Sequence, residues 1–110
     1  MSKKILFVDD ENQILRALKR LFNQTGYETF FMSSAQDALS FLEHEQVDLL
    51  ITDIRMPYMD GMEFLKRVKE RYPKMLRVAL SGYTDSKQIY HAIEANLAKL
   101  YLFKPWDNQE

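Results

Sequence analysis

The 110-residue chain has no cysteine, so disulfides and thiolate metal centres are excluded. It has only three glycines and three prolines, too few for a flexible linker or a low-complexity segment. No long apolar run occurs. The N-terminal one, Ile5 to Val8, is closed at once by Asp9-Asp10 and is too short for a signal peptide or a membrane span. Neither sign of charge dominates: fifteen basic residues face sixteen acidic ones, so no strong field for nucleic acid or membrane is expected. What is present is a 46% apolar chain of single-domain length, enough for one core without staples. One domain is expected over residues 1–110, and a reducing cytoplasm is the expected location.

The apolar residues fall into two alternating patterns. Ile5–Val8, Tyr27–Met32, Val47–Thr52, Met75–Leu80 and Leu100–Phe103 are consecutive apolar or β-rich runs, as in strands buried on both faces. Between them apolar residues recur at helical spacing: Ile14, Leu15, Leu18, Leu21 and Phe22; then Ala35, Ala38, Leu39 and Leu42; then Phe64, Leu65 and Val68; then Ile89, Ala92 and Ile93. Gly26 is expected to end the first helix. Ser33 with Gln36, and Asp60 with Glu63, have capping-box spacing at the second and third. The fourth is expected to begin near Thr84 or Asp85. Successive strands lie roughly 20 to 28 residues apart, the span of a βαβ crossover. The fold class is α/β: a flavodoxin-like, doubly wound, five-stranded parallel sheet of order 2-1-3-4-5, with its switch point between strands 1 and 3.

Chemistry-bearing residues follow the strands. Strand 1 delivers Asp9 and Asp10, strand 3 Asp53, strand 4 Ser81 and strand 5 Lys104. Each alone reads as a turn or helix-start residue; together they form one set on one sheet edge. Three crowded carboxylates repel unless a cation joins them, and hard oxygen ligands with room for water suit Mg²⁺, with Mn²⁺ as a substitute. A metal, an ammonium and a hydroxyl would surround a phosphoryl group and neutralise charge in an in-line transfer, with Asp53 as the acceptor. His44 and His91 lie on helices away from the strand ends and read as surface residues.

Across essentially all 110 residues the chain resembles a response-regulator receiver domain, through ILFVDDE at strand 1, DLLITDIRMPYMDG at strand 3, VALSG at strand 4 and YLFKPW at strand 5. The resemblance implies that Asp53 is the phosphoacceptor, served by a sensor histidine kinase, a phosphotransfer protein or a small phosphodonor. It implies Mg²⁺ held by Asp10, Asp53 and the backbone carbonyl of Arg55, with Asp9 acting through water. It implies Ser81 as the switch hydroxyl, Lys104 as the phosphoryl partner, Tyr101 as the switch aromatic and Pro105 as a cis-proline that aims Lys104. Arg55 and Tyr83 would tune water access at the rim. The domain is expected to relay phosphorylation through the helix 4/strand 5 face to a downstream output domain, without direct nucleic-acid or membrane contact. It is expected to act as a switch rather than an enzyme.

Family members carry a fifth helix after the Lys-Pro turn, whereas only residues 106–110 follow here. The helix is therefore expected to be largely absent, leaving apolar side chains of strands 1, 3, 4 and 5 open beside helix 1. Downstream sequence, a partner or a second copy would cover them. Two other functions share the topology. A Mg²⁺-dependent phosphohydrolase or phosphotransferase would carry a second carboxylate two residues after Asp53, where Arg55 stands. A flavin-binding module would need a phosphate-cradling loop where Asp9, Asp10 and Glu11 would repel the phosphate.

Overall fold

The computed structural model describes residues 3–82 and 86–104. Five parallel strands, β1 (Lys4–Val8), β2 (Glu28–Met32), β3 (Leu49–Asp53), β4 (Leu76–Ser81) and β5 (Leu100–Phe103), form one sheet in the order β2-β1-β3-β4-β5. Between them lie α1 (Asn12–Phe22), α2 (Ala35–Leu42), α3 (Gly61–Arg71) and α4 (Ser86–Glu94). The expected topology is therefore found, with strand ends displaced by one or two residues.

Alternation along each strand divides the core in two. Leu6, Val8, Leu50 and Ala79 pack with α2, α3 and α4 residues such as Ala38, Phe64, Val68 and Ala92. Ile5, Phe7, Ile51, Val78 and Leu80 pack with Ile14 and Leu18 of α1. Phe7 anchors the second cluster, its ring 5.0 Å from those of both Phe22 and Phe31. The expectation of an open face over strands 1, 3, 4 and 5 needs correction. α1 lies against Ile5, Phe7, Ile51, Val78 and Leu80, all buried, and the exposed apolar residues of the sheet belong chiefly to β5.

Two helix boundaries also depart from expectation. The cap of α2 is Ser34, whose Oγ accepts the Asp37 N–H at 3.0 Å, not Ser33. Starting the helix at Ala35 puts Ala35, Ala38 and Leu42 on its buried side. α1 ends at Phe22 rather than running to Gly26. The Thr25 hydroxyl and amide both bond to the Phe22 carbonyl, and Gly26 supplies a positive φ of 86° in the turn that follows. Asp60 caps α3 as expected, accepting the Glu63 N–H at 3.0 Å. α4 is described from Ser86; the expected starts, Thr84 and Asp85, lie outside the described residues. His44 and His91 are exposed, as expected.

The loop from β3 to α3 holds an unusual residue. Met59 N–H donates to the Pro57 carbonyl at 2.8 Å, closing a three-residue turn with Tyr58 at its centre, φ 71°. This positive-φ form of the γ-turn is rare and strained, and Tyr58 has no burial to offset it, being fully exposed. Tyr58→Gly should therefore raise stability by about 0.5–1 kcal/mol, relief of the Cβ strain outweighing glycine's extra chain entropy. Urea denaturation of both proteins checks this; equal midpoints would mean that the turn is unstrained.

Candidate functional site

The carboxyl ends of β1, β3, β4 and β5 meet at one edge. Asp9 follows β1 directly and is wholly buried. Its N–H donates to the Met32 carbonyl at 3.2 Å, and its Oδ1 accepts the Glu11 N–H at 2.9 Å. The other oxygen, Oδ2, is buried without a well-directed hydrogen bond and has the Lys104 Nζ at 3.3 Å as an ion-pair neighbour. Asp10 is exposed beside it. Asp53 is the last residue of β3 and is 2% exposed. Its Oδ1 accepts the Arg55 N–H at 3.3 Å and its Oδ2 lies 3.3 Å from Lys104 Nζ. Asp9, Asp10 and Asp53 each present an oxygen within 4.8 Å of the others.

Lys104 reaches this cluster because its own N–H donates to the Ser81 carbonyl at 2.9 Å, carrying the β4–β5 pairing one residue past the strand. Its ammonium contacts Asp9, Asp53 and, at 3.2 Å, Glu11. Burial alone would lower its pKa, but the charges of Asp53, Asp9 and Glu11 hold it above the usual lysine value. One cation does not balance the carboxylates. Burial, and then the charge of Asp9, push Asp53 up to about 7. Burial also raises Asp9. A carboxylate pair that resists ionisation beside a single lysine, with an exposed third acid, is a site short of positive charge.

Ser81 is the last residue of β4 and is buried beside this edge. Tyr101 is 44% exposed, its ring edge-on to Phe103 at 5.6 Å. Register places Tyr101 opposite Ala79 and Phe103 opposite Ser81. Arg55 touches the cluster through its backbone N–H, while the residue is exposed. Pro105 and Tyr83 lie outside the described residues. Glu11 was not among the expected site residues, although it is the third acid of the run Asp9-Asp10-Glu11; its side chain pairs with Lys104 from the start of α1.

The loop geometry depends on Gly61, the first residue of α3. Its N–H donates to the Ile54 carbonyl at 2.7 Å, drawing the helix start against the end of β3. A Cβ there would stand 2.5 Å from Ile54 Cα and press on the Asp53 carbonyl as well.

Comparison with known proteins places the chain in a family. A family model described as the response regulator receiver domain matches residues 5–110. Sporulation initiation phosphotransferase F of Bacillus subtilis is 34% identical across the whole chain, which covers 88% of that protein. The hydrogenase transcriptional regulatory protein HoxA of Cupriavidus necator is 38% identical over 93% of the chain, which spans only 21% of HoxA. The signal receiver domain of an HD domain-containing protein from Pseudomonas fluorescens superposes with a TM-score of 0.89 at 38% identity, covering 99% of this chain and 87% of that one. The chain belongs to the response regulator receiver family and is a receiver domain of two-component signal transduction.

Proposed function

We propose that Asp53 is the phosphoacceptor of this receiver and that the other strand-end residues serve its phosphorylation. A carboxylate oxygen of Asp53 attacks phosphorus. The bond from phosphorus to the donor's histidine nitrogen, or to the acyl oxygen of acetyl phosphate, breaks, and the leaving group keeps that electron pair. The observation that carries this reading is the convergence of Asp9, Asp53 and Lys104 in one buried cluster, with contacts of 3.3 Å. Receiver domains bind Mg²⁺ at an acidic cluster of this kind. The donor set fits: all ligands are hard oxygens, one acid is open to solvent, and the Asp9 Oδ2 atom has only an ion-pair neighbour, without a well-directed hydrogen bond. Asp10, Asp53 and the Arg55 carbonyl would hold the ion, with Asp9 acting through water. When bound, it neutralises charge on the transferring phosphoryl oxygens. Mn²⁺ would substitute.

Within the chain, Lys104 would pair with the phosphoryl group and the Ser81 hydroxyl would donate to it. Movement of Ser81 would open space for the exposed Tyr101 ring to turn inward, changing the α4–β5 surface. This is a two-state bias, and phosphorylation must favour one state by a few kcal/mol to matter. The donor would be a sensor kinase or phosphotransfer protein, and the reader an output domain or separate effector. We read the domain as a switch rather than a turnover enzyme, since Arg55 stands where an acid–base carboxylate would be needed. Incubation with Mg²⁺ and acetyl phosphate, followed by intact mass measurement, should show one phosphoryl adduct that localises to Asp53. No adduct, or an adduct at another residue, would refute the assignment.

The raised pKa of Asp53 predicts a pH signature. In the metal-free fold the group holds its proton up to about pH 7, whereas the unfolded chain releases it near the ordinary aspartate value of 3.8. Between those values the folded state binds more protons, so metal-free stability falls as pH rises through this window and levels off above it. Mg²⁺ favours the ionised carboxylates. Its stabilising effect should therefore be small at pH 5 and large at pH 8, on the order of a few kcal/mol. Thermal melts at both pH values, with and without Mg²⁺, measure it; an equal gain at both would contradict the assignment.

A further inference from the structure

β4 carries an arginine in its buried interior. Arg77 is 9% exposed, and its guanidinium donates only to carbonyls among the bonds described: Nε to Leu97 at 2.8 Å, Nη1 to Met75 at 3.0 Å and Nη2 to Asn96 at 3.3 Å. Burial lowers its pKa, yet an arginine remains charged. Two of the three carbonyls belong to Asn96 and Leu97, in the turn just past the last residue of α4. Asn96, at φ 59°, takes the left-handed position after the helix. Its N–H bonds to the Ile93 carbonyl and the Leu97 N–H to the Ala92 carbonyl, the paired reverse bonds of a Schellman terminus. Carbonyls at a helix's carboxyl end carry partial negative charge that a cation complements. Lys69 of α3 adds a second, its Nζ donating to the Ala95 carbonyl at 3.3 Å.

The carboxyl end of α4 is thus held by directional, charge-assisted bonds from two other elements. The helix itself rests on the sheet through Ile89 and Ala92, buried in the apolar core. Apolar burial is non-directional and permits small sliding of packed helices, whereas a planar fork on fixed carbonyls does not. Following the chain from β4, the amino end of α4 comes soon after Ser81, on the side where phosphorylation would act.

We propose that Arg77 is the pivot of α4: it pins the helix's carboxyl end to β4, so that displacement after phosphorylation is confined to the amino-terminal turns. The proposal rests on the phosphorylation reading above, and Arg77 acts in it as a positioning residue.

Residue-resolved amide exchange on the 110-residue chain, with and without Mg²⁺ and beryllium fluoride as a phosphoryl mimic, tests it. In the native protein the mimic should change exchange at residues 88–92 by about tenfold or more while leaving residues 97–99 within about twofold. Arg77→Met should speed exchange at 97–99 selectively by about tenfold, the equivalent of one lost charged hydrogen bond. It should also make those amides respond to the mimic. Arg77→Lys keeps the charge without the fork and should fall between the two; if the methionine variant fails to fold, the lysine variant decides. A native response equal at both ends of α4, or a variant in which 97–99 still ignore the mimic, overturns the pivot. If beryllium fluoride does not bind the native protein, the phosphorylation reading fails instead. The pivot is then judged on mimic-free exchange, where a uniform rather than local rise in Arg77→Met counts against it.

Discussion

Asp53→Asn should gain no phosphoryl mass from acetyl phosphate under conditions that fully modify the native chain, and it should be the more stable protein at pH 8 without Mg²⁺. The two effects have one cause. Asp53 is desolvated and faces Asp9, so its ionisation opposes folding. The amide is nearly isosteric and uncharged. It removes that repulsion, although it also deprives Lys104 of one anionic neighbour. The net gain at pH 8 should be about 2 kcal/mol, read as a higher denaturation midpoint. At pH 5 the fold keeps a proton that the unfolded chain has already released, so the gain should be smaller, and it should vanish only below about pH 3.8. A variant that still takes up phosphate would remove Asp53 from its role. A variant destabilised at pH 8 would show that the Lys104 contact outweighs the repulsion from Asp9.

Gly61→Ala should be strongly destabilising, although it adds a single methyl. The added Cβ meets backbone, not a flexible side chain, at 2.5 Å from Ile54 Cα and 2.7 Å from the Ile54 carbonyl. Relief requires α3 to move off the end of β3, breaking the Gly61–Ile54 bond and displacing the loop whose Arg55 N–H supports Asp53. Overpacking of this kind costs about 3 kcal/mol, which lowers the melting temperature of a domain this size by on the order of 15 °C. Phosphorylation should slow as well, because the loop carries both the Asp53 support and the Arg55 carbonyl. Calorimetry together with the rate of acetyl phosphate modification measures both; a loss below about 1 kcal/mol would show that the helix start has slack.

The residues that announced the fold were those whose environment is set locally. Ile5–Val8 and Leu49–Ile51 are apolar at every position because helices cover both faces of the central strands, and such runs are visible without knowing which helices. Asp9, Asp53, Ser81 and Lys104 stood out because each ends a strand, and parallel strands bring their ends to one edge. Features that depend on distant partners were missed. Arg77 sat unremarked in an apolar run, because two of the three carbonyls that satisfy it lie some twenty residues away, past α4. Glu11 looked like part of a helix start, and only the reach of Lys104 from β5 makes it a site residue. Ser33 and Ser34 are chemically equivalent neighbours, so the cap was settled by which choice buries Ala35. Tyr58 offered no glycine or asparagine to mark its positive φ.

The inward reach of Lys104 has a colloidal consequence. β5 is an edge strand of four uncharged, strand-favouring residues, Leu100 to Phe103, each 44–51% exposed. Edges of this composition recruit strands from other molecules, and natural chains commonly flank them with charged gatekeepers. Lysines stand at both ends, Lys99 and Lys104, but only Lys99 is exposed; the Lys104 side chain is 10% exposed, its ammonium among Asp9, Glu11 and Asp53. Among the described residues the edge is therefore guarded by an exposed lysine at its entrance and not at its exit, since the same ammonium cannot face solvent at the strand end and neutralise the carboxylates at once.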